Sequence, residues 1–277
     1  MRRVILALVL TLSFQALSSQ DMDTLFLWPG DVPGEDAPKH PAVETDNKEG
    51  NTIRLTDVTD PILVAVKPDP DRANGSAVIV CPGGGYNILS IDKEGYEIAE
   101  WLAGLGYEAY VLYYRVPQKQ EGALQDVQRA IRIIRRRMDG QGTVGVLGFS
   151  AGGSLAARAA TRFGVNTYDA VDVADQLSCR PDFSVLIYPA YLDKGPDRSL
   201  TPELTITDDT PPVFIFGTAD DKHGNSALVM AGALRDAGIP IDIHMLSKGG
   251  HGYGMRKGNI AGETWPVLCE TWLGSIR

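Results

Sequence analysis

The sequence is poor in cysteine. Only three of its 277 residues are cysteines, namely Cys81, Cys179 and Cys269. Three thiols can form at most one disulfide, and none of them stands in a CxxC or similar ligand spacing. This scarcity argues against a disulfide scaffold and a cysteine-based metal site. We interpret the three residues as buried, unreactive thiols.

Positive charge is also scarce. Lysine and arginine total 26 against 35 aspartates and glutamates, which gives a net charge of −9. An acidic chain has no overall attraction for a polyanion, so we predict no nucleic-acid partner. The chain has four histidines and lacks the HExxH pattern. We therefore predict neither a metal nor a cofactor.

Long hydrophobic runs are missing. The apolar run at residues 4–12 is far shorter than the roughly 20 residues that a membrane-spanning helix needs. Arg2 and Arg3 precede the run, and small residues follow it at positions 16–19. This order is typical of a signal peptide. We expect residues 1–19 to be removed and the protein to be exported, to the periplasm or beyond, without membrane attachment. A buried N-terminal helix is the alternative.

Beyond this segment, strand-like and helical patterns alternate. Residues 20–55 are rich in proline, glycine and charge, and we expect an irregular arm there. Near-continuous apolar runs predict strands at 62–66, 77–81, 108–114, 144–149, 183–188, 213–216 and 241–246. Helices are predicted at 98–105, 124–138, 151–163, 226–237 and 265–276. The pattern predicts one α/β domain over residues 20–277, with a mostly parallel sheet covered on both faces.

The helix predicted at 124–138 carries five arginines on the side away from its apolar stripe. Such a cluster can mark a nucleic-acid face. In an acidic protein we interpret it as a solvated outer face.

Ser150 follows an apolar strand and precedes a predicted helix. Residues 148–152 read GFSAG and fit the G-x-S-x-G pattern of a nucleophile elbow. The small residues on either side let the chain turn sharply and expose the serine hydroxyl at the helix N-terminus. Phosphate-loop patterns fail, because Ser154 stands where a cation is needed and Gly145 and Gly148 are three apart. Ser150 is the candidate nucleophile, with an ordinary glycine-rich turn as the alternative.

A glycine loop precedes this elbow in the sequence. Residues 82–86 read PGGGY and follow the strand predicted at 77–81. Backbone N–H groups in such a loop can point into a cavity and bind a developing oxyanion. We expect Gly84, Gly85 and Ala151 to supply these donors, and Tyr86 is a candidate substrate contact. A merely tight loop is the alternative.

A general base and its acid are expected after later strands. His251 lies among glycines in KGGHGYG, just after the last predicted strand, and is the candidate base. Asp220 and Asp221 follow the strand predicted at 213–216. We favour Asp220 as the acid that orients His251, and Asp221 remains the alternative. The resulting order of serine, acid and histidine is that of the α/β-hydrolase triad.

Motifs spread over most of the chain carry a resemblance to a known group. They are LWPGDVPG, CPGGGY, DKEGYEIAEWL, YYRVP, RAIRIIR, LGFSAGG, RPDFSVLIYPAY, PPVFIFGTADD and KGGHGYGMR. The chain resembles the secreted bacterial esterases of the α/β-hydrolase superfamily that are labelled acetylxylan esterase or xylanase. These lie near the feruloyl-esterase-like and hormone-sensitive-lipase-like branches. One departure is Pro82, where related lipases have a histidine before the three glycines.

This resemblance implies a serine carboxylesterase that deacetylates polysaccharides such as xylan. The substrate would be a small acyl ester or an acetylated carbohydrate. Cleavage of a glycosidic bond would instead require two flanking carboxylates. The segment between Asp193 and Thr210 is a candidate for the rim of the substrate site. Tyr114 and Arg115 are expected to have a structural role or to line the acyl pocket. The sequence leaves the oligomeric state open.

Two other functions remain as alternatives. A prolyl-oligopeptidase-like peptidase would share the triad, although its usual propeller domain has no room in 277 residues. A non-catalytic binding protein could keep the fold, but the presence of every triad member argues against it.

Overall fold

A computed structural model describes residues 23–47 and 49–276. The predicted signal peptide, residues 1–19, lies outside this range. Within the range, no helix is both long enough and apolar enough to cross a bilayer.

Eleven strands occur in the described part of the chain. They are β1 (Thr24–Phe26), β2 (Val43–Glu44), β3 (Arg54–Thr56), β4 (Ile62–Val66), β5 (Ala77–Cys81), β6 (Leu89–Ser90), β7 (Glu108–Tyr113), β8 (Val144–Phe149), β9 (Phe183–Ile187), β10 (Val213–Thr218) and β11 (Ile241–Leu246). The α-helices are α1 (Glu97–Gly104), α2 (Gln120–Arg137), α3 (Ala151–Thr161), α4 (Gly224–Asp236) and α5 (Ile260–Ser275). A π-helical turn spans Asp92–Tyr96, and short 3-10 turns span Pro70–Arg72, Val173–Gln176 and Pro196–Arg198.

Eight strands form the main sheet, in the spatial order β1-β4-β7-β5-β8-β9-β10-β11. The strands from β7 to β11 in this order run parallel, while β4 pairs antiparallel with β7 and with β1. Every residue of β5 and β8 is buried, as expected when helices cover both faces of a sheet. The predicted mostly parallel α/β architecture is confirmed.

Helices α1, α2, α3 and α5 pack on the sheet in two contacting pairs. Helices α2 and α3 pack on each other and both contact β8. On α1 and α5, the rings of Trp101 and Trp265 meet edge to face with centroids 5.1 Å apart. Such aromatic pairs add to the burial that holds the helices on the sheet.

The segment expected to be an irregular arm is more ordered than predicted. Strand β1 extends the main sheet, and β2 with β3 joins β6 in a second, three-stranded sheet. These strands are only two or three residues long, too short to show an alternating hydrophobic pattern.

The interpretation of the α2 arginines as a solvated face is wrong for Arg129. Its side chain is 2% exposed and forms ion pairs with Asp172 and Asp175. Its guanidinium lies 5.9 Å from the centre of the Trp28 ring. The chain from β1 to Trp28 and the turn near Asp172 cover this side of α2, so tertiary packing decides its exposure.

The parallel strands bring the candidate residues to one edge of the sheet. The glycine loop follows β5, Ser150 follows β8, the aspartate pair follows β10 and His251 follows β11. The carboxyl ends of parallel strands share an edge, which is where α/β proteins bind ligands.

Candidate active site

Ser150 sits on a strained turn between β8 and α3. Its φ of 52° and ψ of −115° lie in a region that side chains other than glycine rarely occupy. A Cβ at Gly148 would lie 2.0 Å from the Gly152 carbonyl oxygen, and a Cβ at Gly152 would lie 2.0 Å from the Cys81 oxygen. Both glycines are therefore required for the close approach of backbone that the turn demands.

The Ser150 hydroxyl is hydrogen-bonded to a histidine. His251 Nε2 lies 2.8 Å from Ser150 Oγ, and His251 Nδ1 lies 2.6 Å from Asp221 Oδ2. The Asp221 side chain is 1% exposed and that of His251 is 27% exposed. A buried carboxylate, an imidazole and a hydroxyl thus form one hydrogen-bonded chain that ends at the open side of the site.

The preference for Asp220 as the orienting acid is corrected by this geometry, since Asp221 contacts the histidine. The exposed Asp220 carboxylate accepts hydrogen bonds from the N–H groups of Gly250 and Gly249, at 2.9 and 3.2 Å. The Gly250 bond is the main reason that the pKa of Asp220 is lowered. The sequence could not separate the two aspartates, because both lie in the turn after β10, where strand alternation no longer fixes side-chain direction.

The glycine loop lies directly against the serine. A Cβ on Gly83 would lie 3.0 Å from Ser150 Cβ and 2.8 Å from the Phe149 oxygen. The φ of Gly84 is 140° and that of Gly85 is 64°, so both use conformations that favour glycine. Ala151 is the first residue of α3, and N–H groups of a first helical turn have no partner within the helix. Gly83 and Ala151 thus adjoin the serine, and the assignment of Gly84, Gly85 and Ala151 as oxyanion donors stays a prediction.

Glu94 is a site residue that the sequence reasoning missed. Its side chain is buried, and Oε2 accepts the Gly83 N–H at 2.9 Å while Oε1 accepts the Tyr188 hydroxyl at 2.7 Å. The same Tyr188 oxygen accepts the Gly254 N–H at 3.0 Å. Glu94 and Tyr188 therefore connect the glycine loop to the loop that carries His251. Its burial in the π-helical turn marks it as a site residue in the structure. The sequence alone gives no signal, because a single acidic residue does not show whether it is buried.

Tyr114 supports the glycine loop from outside, and Tyr86 is a buried residue of the loop itself. Tyr114 is buried and donates its hydroxyl hydrogen to the Pro82 oxygen at 2.6 Å. Tyr86, predicted as a substrate contact, is only 2% exposed, and burial raises the pKa of its hydroxyl to about 12. Arg115 is buried and paired with Asp126. For Tyr114 and Arg115 the structural role therefore holds.

A second histidine adjoins the triad. The His223 ring lies 5.0 Å from the His251 ring and 5.5 Å from the Tyr191 ring. Burial lowers the pKa of His223, and the neighbouring His251 lowers it further. A neutral His223 adds no positive charge beside the base. In the described part of the chain, no cluster of three or more His, Cys, Asp or Glu side chains could hold a metal ion.

All three cysteines are free and buried, as predicted. Burial raises the pKa of the Cys81 thiol well above its usual range. This keeps it a thiol and a poor nucleophile.

Comparison with known proteins finds ester and xylan hydrolases. The chain is 28% identical over 215 residues to an acetylxylan esterase of Xylanibacter ruminicola. The aligned region covers 67% of this chain and 42% of the relative. It is 31% identical over 213 residues to endo-1,4-beta-xylanase B of Butyrivibrio fibrisolvens, covering 66% of this chain and 33% of the relative. The chain thus spans less than half the length of either relative. No protein-family model matches it.

A solved structure matches along nearly the whole chain. The acetyl ester-xyloside bifunctional hydrolase of Caldicellulosiruptor lactoaceticus superposes with a TM-score of 0.72 at 29% identity, covering 92% of this chain and 96% of the other. The predicted resemblance to this group of esterases is confirmed, and so is the predicted fold.

Proposed function

We propose that this α/β-hydrolase is a serine carboxylic ester hydrolase that removes acetyl or similar short acyl groups from polysaccharides such as xylan. The observation that carries the proposal is the hydrogen-bonded chain from Asp221 through His251 to Ser150. Together with the adjoining glycine loop, it supplies a nucleophile, a base, an orienting acid and oxyanion donors. These are the parts that acyl transfer requires.

The reaction has two steps. His251 Nε2 takes the Ser150 proton as Oγ attacks the ester carbonyl, and later returns it to the departing alcohol. Asp221 holds the other ring nitrogen as the donor and stabilises the imidazolium. Water, activated by the same histidine, then hydrolyses the acyl-enzyme and regenerates the serine.

The N–H groups of Gly84, Gly85 and Ala151 stabilise the oxyanion of each tetrahedral intermediate. The Gly83 N–H is bound to Glu94, so it is not available as a donor. One such donor typically contributes about 2.7–4 kcal/mol to lowering the barrier. Residues 1–19, with their paired arginines and short apolar run, support export of the enzyme.

A matched pair of serine variants tests the proposal. Ser150→Ala removes the nucleophile, so hydrolysis of p-nitrophenyl acetate is expected to fall to the background rate. Ser154→Ala lies one helical turn further on, and the Ser154 hydroxyl is buried without a hydrogen-bond partner among the described residues. This control is expected to keep wild-type activity. Equal rates for wild type and Ser150→Ala would refute catalysis by this serine.

Acetate release from acetylated xylan, measured beside cleavage of prolyl peptides, tests the substrate. We expect acetate release and no peptide cleavage. Peptide cleavage would favour the peptidase alternative, and a wild type inactive on every ester would favour a binding protein.

A further inference from the structure

We propose that the cavity between the glycine loop and Tyr191 binds one sugar ring of the alcohol part of the substrate. This inference rests on the proposed esterase function and adds a sugar-binding subsite to it. The cavity measures about 490 Å³ and is bordered by Gly85, an expected oxyanion donor. Tyr191 on its opposite wall reaches the triad through His223, whose ring lies 5.5 Å from that of Tyr191 and 5.0 Å from that of His251.

The size of the cavity suits a sugar. Small-molecule sites commonly measure about 300–1,000 Å³. The cavity is walled by the glycine loop, by residues 118–120 at the start of α2, by the segment 191–203, and by α3 through Arg158. A single ring fits within it, while the rest of an oligosaccharide can extend into solvent through its open side.

Tyr191 provides an aromatic wall. Its ring is half-buried and stacks against Tyr86 with centroids 6.3 Å apart and planes inclined by 29°. Its φ of 63° is strained for a residue with a side chain, and such strain concentrates at functional sites. The hydroxyl lies 3.5 Å from the point where a Cβ of Gly85 would stand, and it has no hydrogen-bond partner among the described residues.

Amide side chains provide the polar lining. Asn87, Gln118 and Gln120 border the cavity and are exposed. A side-chain amide offers both donors and an acceptor, which matches a sugar hydroxyl that donates and accepts. A long acyl chain would bury these groups without partners, at a cost that disfavours it. The lining therefore favours a polyhydroxylated ligand.

The opposite wall belongs to the segment predicted as the substrate rim. Lys194 lies with its ammonium 5.4 Å from the centre of the Tyr191 ring. The Thr201 hydroxyl donates to the backbone carbonyl oxygen of Tyr191 at 3.0 Å and accepts the backbone N–H of Lys194 at 3.1 Å. Glu203 of the same segment is paired with Arg158 of α3. These bonds hold the wall in place before a ligand arrives, which lowers the cost of ordering on binding.

A ratio of two activities tests the subsite. The double variant Gln118→Ala/Gln120→Ala is assayed on acetylated xylo-oligosaccharides and on p-nitrophenyl acetate, which has no sugar. We expect the ratio of kcat/KM on the first to that on the second to fall at least about fivefold, the effect of one or two lost hydrogen bonds. Tyr191→Phe keeps the ring and is expected to lower the ratio less. Gln141→Ala, an exposed glutamine at the other end of the sheet just before β8, is the matched control and should leave the ratio unchanged.

The possible results separate the two proposals. A wild type with no activity on any ester refutes the esterase function and this subsite with it. An active wild type whose ratio is unchanged in the double variant refutes the subsite alone. A variant that changes only the preference between p-nitrophenyl acetate and butyrate also refutes it, because the cavity would then hold the acyl chain.

Discussion

At the scale of single residues, the two neighbouring aspartates after β10 have different tasks. Asp221 is buried and hydrogen-bonded to His251, while Asp220 is exposed and accepts the backbone N–H groups of Gly249 and Gly250. These glycines have φ values of 155° and 67°, which residues with side chains rarely adopt. The hydrogen bonds to Asp220 hold the backbone before His251 in this conformation. The side chain that holds the imidazole and the side chain that shapes its loop are thus adjacent in sequence.

Asparagine substitutions distinguish these tasks. Asp221→Asn removes the charge that holds the His251 tautomer, so kcat for p-nitrophenyl acetate is expected to fall about 10⁴-fold, the loss known for the orienting acid of a serine triad. Asp220→Asn keeps an oxygen that accepts a backbone N–H, and its loss is expected to stay below about tenfold. A larger loss for Asp220→Asn than for Asp221→Asn would contradict the assignment.

At the scale of secondary-structure elements, Glu94 and Tyr188 connect three parts of the site. Glu94 comes from the π-helical turn before α1, Tyr188 follows β9, and Gly254 lies beyond His251. The Tyr188 ring also packs edge-on against His251, with centroids 5.0 Å apart. The glycine loop and the loop that carries His251 therefore share one buried support.

Removing the carboxylate should weaken both activity and stability. In Glu94→Ala the Gly83 N–H and the Tyr188 hydroxyl lose their partner, at about 1–3 kcal/mol for each buried group left unpaired. If the glycine loop shifts, kcat is expected to fall by up to about 10²-fold, comparable to the loss of one oxyanion donor.

Urea unfolding and steady-state kinetics measure the two effects. Glu100→Ala, an exposed glutamate on α1, is the control and should change neither. Full activity of Glu94→Ala, with KM and kcat both at the wild-type value, would show that the glycine loop does not depend on this support.

The elements also show what a sequence can predict. Strands β4, β5, β8 and β11 match their predicted bounds, because runs of apolar residues define the first three and alternating apolar residues define β11. Ser150 and His251 could be located for the same reason, since each follows such a strand. Glu94 could not, because its importance arises from two partners that are 11 and 94 residues away in the chain.

At the scale of the whole molecule, the N-terminal segment is fastened to the domain through a buried ion pair. Trp28 donates its indole N–H to Asp126 at 2.9 Å, and Asp126 also binds the Arg115 backbone and guanidinium. Arg115 in turn donates to the Pro33 oxygen. Residues 28–33 are thereby joined to α2 and to the carboxyl end of β7, which lies at the same edge of the sheet as the candidate site.

Breaking this pair should destabilise the whole fold. Asp126→Ala leaves the buried Arg115 without its counter-charge, and the free energy of unfolding is expected to fall by about 3–5 kcal/mol. The control Asp139→Ala breaks the exposed pair with Arg136 and should cost less than about 1 kcal/mol. Equal changes for the two variants in urea unfolding would contradict the role given to the buried pair.

The central claim is that Ser150 is the nucleophile of an ester hydrolase. Mass spectrometry of the protein after treatment with diethyl p-nitrophenyl phosphate tests it most directly, because this phosphate ester traps an activated serine. The account predicts one diethylphosphoryl group per chain, located on Ser150, and loss of p-nitrophenyl acetate hydrolysis in proportion to its formation. Hydrolysis that persists after full modification of Ser150, or a label that forms on another residue as activity is lost, would contradict it.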